Sequence, residues 1–201
     1  MKDSSIIEKV LCRRVFDSRG NPTIEVDIIT KSGVSGRAIC PSGASTGNNE
    51  ALEIRDNDDR YNGKDIKRGL DLINNKISKL IVGISCEDQS KFDQILKEFD
   101  SSDQKKIIGG NVSTSLSIAN YLCASNLNNV AAYNFHAKSN NLKIPKPEIQ
   151  IFGGGAHSGI QNSFQDFLIY PIDNFNYEEF LHNVHQILNH IKDTLIKSNN
   201  F

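Results

Sequence analysis

Residues 6–40 carry patterns of apolar and polar side chains that predict a three-stranded antiparallel sheet. Residues 6–16 are rich in β-branched side chains, and residues 23–30 alternate with a period of two, the pattern of a strand with one buried face. The predicted inner face of that strand carries Ile24, Val26 and Ile28, and its outer face carries Glu25 and Asp27. Residues 31–33 (KSG) predict a hairpin turn into a third strand at residues 34–40.

The apolar period changes to three and four further along the chain, which predicts helices. One amphipathic helix, ending at Gly83, would bury Ile66, Leu70, Ile73, Ile77 and Leu80. A second helix would bury Phe92, Ile95, Leu96 and Phe99, and a third, at residues 114–125, would bury Leu116, Ala119, Leu122 and Cys123. Strands followed by a run of helices predict an α+β domain, which we assign to residues 1–140.

A second pattern follows residues 139–147, which have the composition of a linker. Two apolar runs, at residues 149–152 and 164–170, predict two strands. A last helix is predicted after Asn176, which is an N-cap residue with Glu179 at the capping-box position. Its predicted buried face carries Phe180, Val184, Ile187, Leu188, Ile191 and Leu195. We assign residues 141–201 to a second domain.

Composition narrows the class of protein. The chain has 201 residues and a net charge of −1. It therefore has no excess of basic residues of the kind that binds nucleic acid or an anionic membrane. No apolar run approaches the ~20 residues of a membrane-spanning helix, and residues 1–5 lack the apolar core of a secretory signal. We therefore expect a cytoplasmic protein. The four cysteines are scattered without a close pair, which predicts reduced thiols rather than a zinc site.

Two loops carry residues suited to chemistry. Residues 41–47 (PSGASTG) combine two glycines with three hydroxyls, which suits an oxygen-rich ligand or a hard cation, although a plain surface turn has the same composition. Residues 153–159 (GGGAHSG) place a histidine after a glycine run. That imidazole would face a phosphate or a substrate proton, or would be a structural histidine.

Three motifs, in this order, resemble the enolase family. They are DSRGNPT (residues 17–23), PSGASTG followed by EALEIRD (residues 41–56), and GGGAHSG followed by QDFLIYP (residues 153–171). The resemblance implies an α+β N-terminal domain followed by an enolase-type TIM barrel, which is an α/β fold and would be incomplete here. It also implies a cytoplasmic homodimer that interconverts 2-phosphoglycerate and phosphoenolpyruvate in glycolysis. Enolases stabilise the enolate intermediate with two Mg²⁺ ions.

The resemblance also implies roles for individual residues. Ser45 would be a magnesium ligand on the first loop. His157 would lie near the substrate phosphate, Gln165 would contact substrate, and Asp166 would belong to the region that handles the leaving hydroxyl, where enolases usually have glutamate. Strict alternation puts Gln165 and Asp166 on opposite strand faces, so both would serve one site only at a strand end or a bulge. Arg19 and Glu25 would lie at the dimer contact.

Other departures from the family keep alternatives open. Gly153 replaces a common asparagine, and residues 109–111 (GGN) replace the usual Gly-Ala-Asn. These changes favour a diverged paralog with another phosphate or phosphonate substrate as one alternative. A non-catalytic interaction module is another. A TIM barrel takes ~250 residues, so we expect this chain to lack the main magnesium ligands, the lysine base and the phosphate-binding arginine, and to be inactive alone.

Overall fold

A computed structural model describes residues 3–43, 47–137, 142–154, 164–172 and 175–198. The chain divides into two compact units, Met1–Lys138 (unit 1) and Ser139–Phe201 (unit 2).

Unit 1 opens with the predicted antiparallel meander, which the structure confirms. Its strands β1 (Ile7–Phe16), β2 (Pro22–Thr30) and β3 (Ser35–Ile39) lie in the order β1-β2-β3. The turn between β1 and β2 is closed by the Asp17 carboxylate, which accepts the backbone N–H groups of Arg19 and Asn21 at 2.9 Å.

The prediction that β2 has one solvent-facing side is wrong. Its inner residues are fully buried, but Glu25 and Asp27 on the outer side are also only 8% and 5% exposed. The guanidinium of Arg13 on β1 pairs with both carboxylates, and Arg37 on β3 donates to Asp27 at 2.6 Å. The period of two therefore located the strand correctly. Its polar face is not open to solvent, because arginine side chains from the neighbouring strands β1 and β3 cover it.

Helices pack on the inner face of this sheet and on one another. They are α1 (Lys67–Leu72), a π-helical turn (Ile73–Ile77), α2 (Ser78–Ile81), α3 (Gln89–Phe99), α4 (Gly110–Leu127) and α5 (Ala132–Phe135). Helix α4 begins four residues before its predicted start and packs against β2 and β3. The contact is close at Gly36, where a Cβ atom would lie 2.1 Å from the backbone nitrogen of Cys123.

The first predicted helix is interrupted by the π turn, which changes the residues it buries. In a regular α-helix, Leu80 would share a face with Ile73, seven residues earlier. The wide turn takes up one extra residue and rotates the following segment by about 100°. Ile81 is consequently buried, whereas Leu80 is 46% exposed, so the prediction of Leu80 as a core residue is wrong.

Unit 2 contains β4 (Ile149–Gly153), β5 (Asp166–Ile169) and α6 (Tyr177–Lys197). The two strands pair antiparallel, with Gly153 opposite Asp166. The predicted cap is present, because the Asn176 side chain accepts the backbone N–H of Glu179 at 3.1 Å. The prediction that six apolar residues of α6 are buried is wrong for most of them. Val184 is the buried residue of this helix, while the apolar side chains of Ile187 and Leu188 are exposed.

Among the described residues, no helix is both long enough and apolar enough to cross a membrane.

Candidate functional site

The base of the 41–47 loop is organised by Arg55. Its guanidinium donates to the Ser42 hydroxyl and to Glu53 Oε2 at 2.7 Å. Ser42 in turn donates to the same Glu53 oxygen at 3.0 Å, so the three side chains form a closed triangle. Ser45 lies outside the described residues, as do the residues on either side of it, and its predicted role as a metal ligand stays a prediction.

Arg55 also reaches segments that are distant in sequence. Its Nη1 donates to the carbonyl oxygen of Pro22 at 2.6 Å and to that of Lys64 at 2.7 Å. The side chain is 15% exposed, so these partners are largely shielded from water. One arginine thus ties the loop base to the start of β2 and to the segment before α1. Arg55 was not predicted as a functional residue, although it lies in the charged run EIRD that follows the loop.

The neighbouring residues of that run are also occupied by structural contacts. The Asp56 carboxylate accepts the backbone N–H groups of Lys67 and Arg68 at 2.8 and 2.9 Å, which supplies acceptors to the first turn of α1. The Asn111 side chain pairs with both backbone polar groups of Ile54, at 3.0 and 3.1 Å. The segment after the loop is therefore held by α1 on one side and by α4 on the other.

The glycines before Asn111 permit this close packing. Gly109 has a φ of +77°, in the left-handed region, and a Cβ there would lie 2.9 Å from the backbone nitrogen of Ile54. A Cβ at Gly110 would lie 3.1 Å from that of Ala51. The departure from Gly-Ala-Asn thus relieves a tight contact between the start of α4 and the segment that follows the loop.

The second group of candidate residues lies in unit 2. Gln165 immediately precedes β5 and Asp166 is its first residue, so both lie at a strand end and are exposed. The Gln150 amide on β4 donates to the Asp166 carboxylate. A Cβ at Gly153 would lie 2.7 Å from Gln150 Nε2, so the glycine leaves room for this contact. His157 lies outside the described residues.

The predicted dimer residues lie in different surroundings. Glu25 is buried and paired with Arg13, as described above, whereas Arg19 is exposed in the turn between β1 and β2. Burial raises the pKa of the neighbouring Asp27, but hydrogen bonds from Arg37 and Arg13 outweigh that effect and hold its pKa below the ordinary value. The outer face of the sheet thus places the Glu25 and Asp27 carboxylates between the guanidinium groups of Arg13 and Arg37, so that opposite charges are paired.

Magnesium ligands are not assembled within the part of the chain that the structure describes. No group of three or more histidine, cysteine, aspartate or glutamate side chains suited to a metal ion occurs among those residues. The hydroxyl of Ser42 is already engaged by Arg55 and Glu53. The described residues therefore do not assemble a magnesium site by themselves.

Comparison with known proteins identifies the family. The enolase N-terminal domain family matches residues 7–135, which is more than half of the chain. The chain belongs to the enolase family. The matched residues include the 41–47 loop, Arg55 and its partners, and the pair Asn111 and Ile54.

Individual enolases resemble the chain over most of its length. The enolase of Methanococcoides burtonii is 43% identical over 166 residues, which are 82% of this chain and 39% of that protein. The enolase of Pelagibacter ubique is 40% identical over 194 residues (96% and 46%), and that of Wolinella succinogenes is 36% identical over 189 residues (94% and 45%). The chain thus spans less than half the length of these relatives.

Proposed function

We propose that this chain is the N-terminal part of a magnesium-dependent lyase of the enolase type, which interconverts 2-phosphoglycerate and phosphoenolpyruvate in the cytoplasm. The observation that carries the proposal is the 36–43% identity to proteins named enolase, which extends over as much as 96% of the chain. In this proposal residues 1–140 form the N-terminal domain and residues 141–201 form the first part of the catalytic barrel.

The residues in this chain would serve the loop and the leaving-group side of the site. Ser45 would supply a loop oxygen to Mg²⁺, while Arg55 and Glu53 hold the loop base at Ser42. His157, Gln165 and Asp166 would contact the substrate, with Asp166 oriented by Gln150. Bound Mg²⁺ would supply electrostatic stabilisation of the enolate.

The function is tested by a chimera in which residues 1–198 replace the matching part of the P. ubique enolase. We expect the chimera to form phosphoenolpyruvate from 2-phosphoglycerate and to require Mg²⁺. In the same chimera, Asp166→Ala should abolish turnover, whereas Ser101→Ala, on an exposed position between α3 and α4, should leave it unchanged. A cooperatively folded chimera without turnover would contradict the proposal.

A paralog with another phosphate or phosphonate substrate is the second candidate, and Asp166 is the observation that favours it. Aspartate is one methylene shorter than glutamate, and a misplacement of about 1 Å costs on the order of 10²-fold in rate. Gln150 contacts this shorter side chain through the space left by Gly153. If the chimera is an enolase, Asp166→Glu should keep or raise its turnover of 2-phosphoglycerate. A chimera that turns over 2-phosphoglycerate only after Asp166→Glu would favour the paralog.

We also propose that the complete protein is a homodimer with Arg19 and Glu25 at its contact. Arg19 is exposed, and Glu25 lies on the compensated outer face of the sheet. Sedimentation of the chimera at several concentrations tests this assembly. The double variant Arg19→Ala, Glu25→Gln should shift it toward the monomer, and Arg68→Ala, on the exposed side of α1, should not. An unchanged dimer in the double variant would contradict the contact.

A further inference from the structure

The two strands of unit 2 pair through a bulge, which changes the residues that share a face. Gln150 lies opposite Leu168, and Gly153 lies opposite Asp166, with a shift of register between residues 150 and 152. On a regular strand, positions three apart lie on opposite faces, because side chains alternate. The extra residue at the bulge places Gln150 and Gly153 on the same face, since their partners on β5 are two residues apart.

The opposite face of the same strand pair carries an aromatic contact. Phe152 is paired with Phe167, and their ring centroids lie 5.5 Å apart. Phe167 neighbours Asp166 on β5, so the two side chains point to opposite faces. The bulge therefore separates an apolar face from the face that carries Gln150 and Asp166.

On this polar face, the Gln150 side chain extends along β4 past Gly153 and reaches Asp166. Its amide donates to Oδ1 of Asp166, which is its diagonal neighbour across the strand pair. Diagonal neighbours are about 7–8 Å apart, so such a contact needs a long side chain. A Cβ at Gly153 would lie 2.7 Å from Gln150 Nε2 and 3.5 Å from its Cδ, and would displace the amide. The contact thus needs glycine at position 153.

The backbone at this end of the hairpin is held as well. The Gly154 N–H donates to the carbonyl oxygen of Gln165 at 2.8 Å, which extends the pairing beyond Gly153 and Asp166. The Asp166 carboxylate can still rotate about χ1 and χ2, and the Gln150 amide selects among these rotamers. Both side chains are exposed, so the hydrogen bond replaces one to water and adds little stability. Its effect is on the orientation of the carboxylate.

Given the proposed function, on which this inference rests, we propose that Gln150 is a positioning residue for Asp166 and that the family departures at positions 153 and 166 are one compensating change. Glycine at position 153 opens the path of the amide, and the amide holds the shorter aspartate in one orientation. A glutamate would carry its carboxylate one methylene further from β5, beyond the atom that the amide contacts. Gln150 therefore serves the reaction while residue 166 is aspartate.

The test measures kcat and KM for 2-phosphoglycerate in the P. ubique chimera. Gln150→Met keeps the length of the side chain and removes the donor, so kcat should fall by about 10-fold while KM changes less than about twofold. Gly153→Ala should give a similar fall, because its Cβ displaces the amide, and its backbone tolerates alanine since φ is not positive. The double variant should be no slower than either single one, because all three remove the same contact.

Two comparisons separate positioning from a merely structural role. Gln94→Met removes a similar exposed contact, between Gln94 and Glu98 on α3, and should leave kcat unchanged. In the Asp166→Glu background, Gln150→Met should lower kcat by less than about twofold. The unfolding temperature should stay within about 2 °C in every variant. An unchanged kcat in Gln150→Met, or an equal loss in both backgrounds, would overturn the proposal.

A measurement without turnover keeps this test distinct from that of the proposed function. In isotope-labelled residues 1–201, the NMR resonance of the Gln150 side-chain amide should move as acid protonates its carboxylate acceptor. The movement should be absent in Asp166→Asn and reduced in Gly153→Ala. A resonance that moves equally in all three chains would overturn the proposal, whereas a folded chimera without turnover would contradict the proposed function.

Discussion

At the scale of single residues, Arg55 links four segments around the 41–47 loop. We expect Arg55→Met to lower the free energy of unfolding of unit 1 by about 2–3 kcal/mol, because Glu53 and the carbonyl oxygens of Pro22 and Lys64 lose a charged donor. Urea unfolding followed by circular dichroism measures this loss.

The matched control variant is Arg60→Met. The Arg60 side chain is 65% exposed and its ion pair with Asp65 is 3.8 Å long, so the loss of unfolding free energy should stay below about 1 kcal/mol. Equal losses in the two variants would contradict the role of Arg55.

Asp100, which follows α3, gives a prediction about pH. Burial raises its pKa, but hydrogen bonds from the Ser102 hydroxyl and from the backbone N–H groups of Ile108, Ile107 and Ser102 outweigh that effect and lower the pKa to about 2. Since the unfolded value is about 3.9, ionised Asp100 stabilises the folded state above about pH 4, and this contribution is lost as the pH falls toward 2.

Asp100→Asn should therefore be less stable than the wild-type chain at neutral pH, by about 1–2 kcal/mol, with a difference that shrinks as the pH falls from 4 to 2. Unfolding by urea at a series of pH values measures it. Asp103→Asn, at an exposed position in the same loop, is the control and should show no such trend. A difference between Asp100→Asn and wild type that stays constant over this range would contradict the assigned pKa.

At the scale of elements, the π turn acts as a one-residue insertion. Deletion of Asn75, which is exposed, should convert the turn into regular α-helix and still bury Ile77 and Ile81, now three and seven residues after Ile73. The free energy of unfolding should change by less than about 1 kcal/mol. Deletion of Gln94 in the regular helix α3 should cost far more, because it moves Leu96 off the core-facing side. Similar costs for the two deletions would contradict this interpretation.

Helices α4 and α6 should differ in hydrogen exchange. Helix α4 has nine buried residues, whereas α6 has one, Val184. Amide protection scales with the free energy of local opening, so we expect α6 to exchange faster than α4 by on the order of 10²-fold or more. Exchange of the monomeric chain measured by mass spectrometry tests this. Equal protection of the two helices in a monomer would contradict the expectation.

The elements that were predicted correctly depend on local patterns. The β1–β3 meander follows from a period of two, and the start of α6 follows from Asn176 and Glu179, which lie three residues apart. The partners of Arg55 were not predictable in this way, because two of them are backbone carbonyl oxygens with no side-chain pattern. Burial of Ile81 in place of Leu80 was also missed, since both residues are apolar and only tertiary packing selects the π turn.

The site residues also separate into those that local motifs predict and those that depend on tertiary contacts. The 41–47 loop and the pair Gln165 and Asp166 were found from motifs, and the structure places that pair at a strand end, one of the two arrangements in which both can serve one site. The contact between Gln150 and Asp166 was missed, because it depends on the pairing of β4 with β5 and on the absence of a side chain at Gly153.

At the scale of the whole molecule, unit 1 has a closed core, while unit 2 exposes apolar side chains on strand β5 and on helix α6. Leu168 on β5 and Leu188 on α6 are 46% and 43% exposed. Unit 2 would bury such side chains as part of a larger fold, which agrees with the proposal that residues 141–201 begin a barrel. Proton abstraction next to a carboxylate needs a positioned base and cations, and the proposal assigns neither the base nor the main metal ligands to this chain.

The most direct measurement compares residues 1–201 alone with the P. ubique chimera in one coupled assay for phosphoenolpyruvate, with excess Mg²⁺. We predict no turnover by residues 1–201, and Mg²⁺-dependent turnover by the chimera that Asp166→Ala abolishes. Turnover by residues 1–201 that is lost in Asp166→Ala would contradict the claim that this chain supplies only part of the site. A folded chimera that leaves 2-phosphoglycerate unchanged would contradict the claim that the site is that of an enolase.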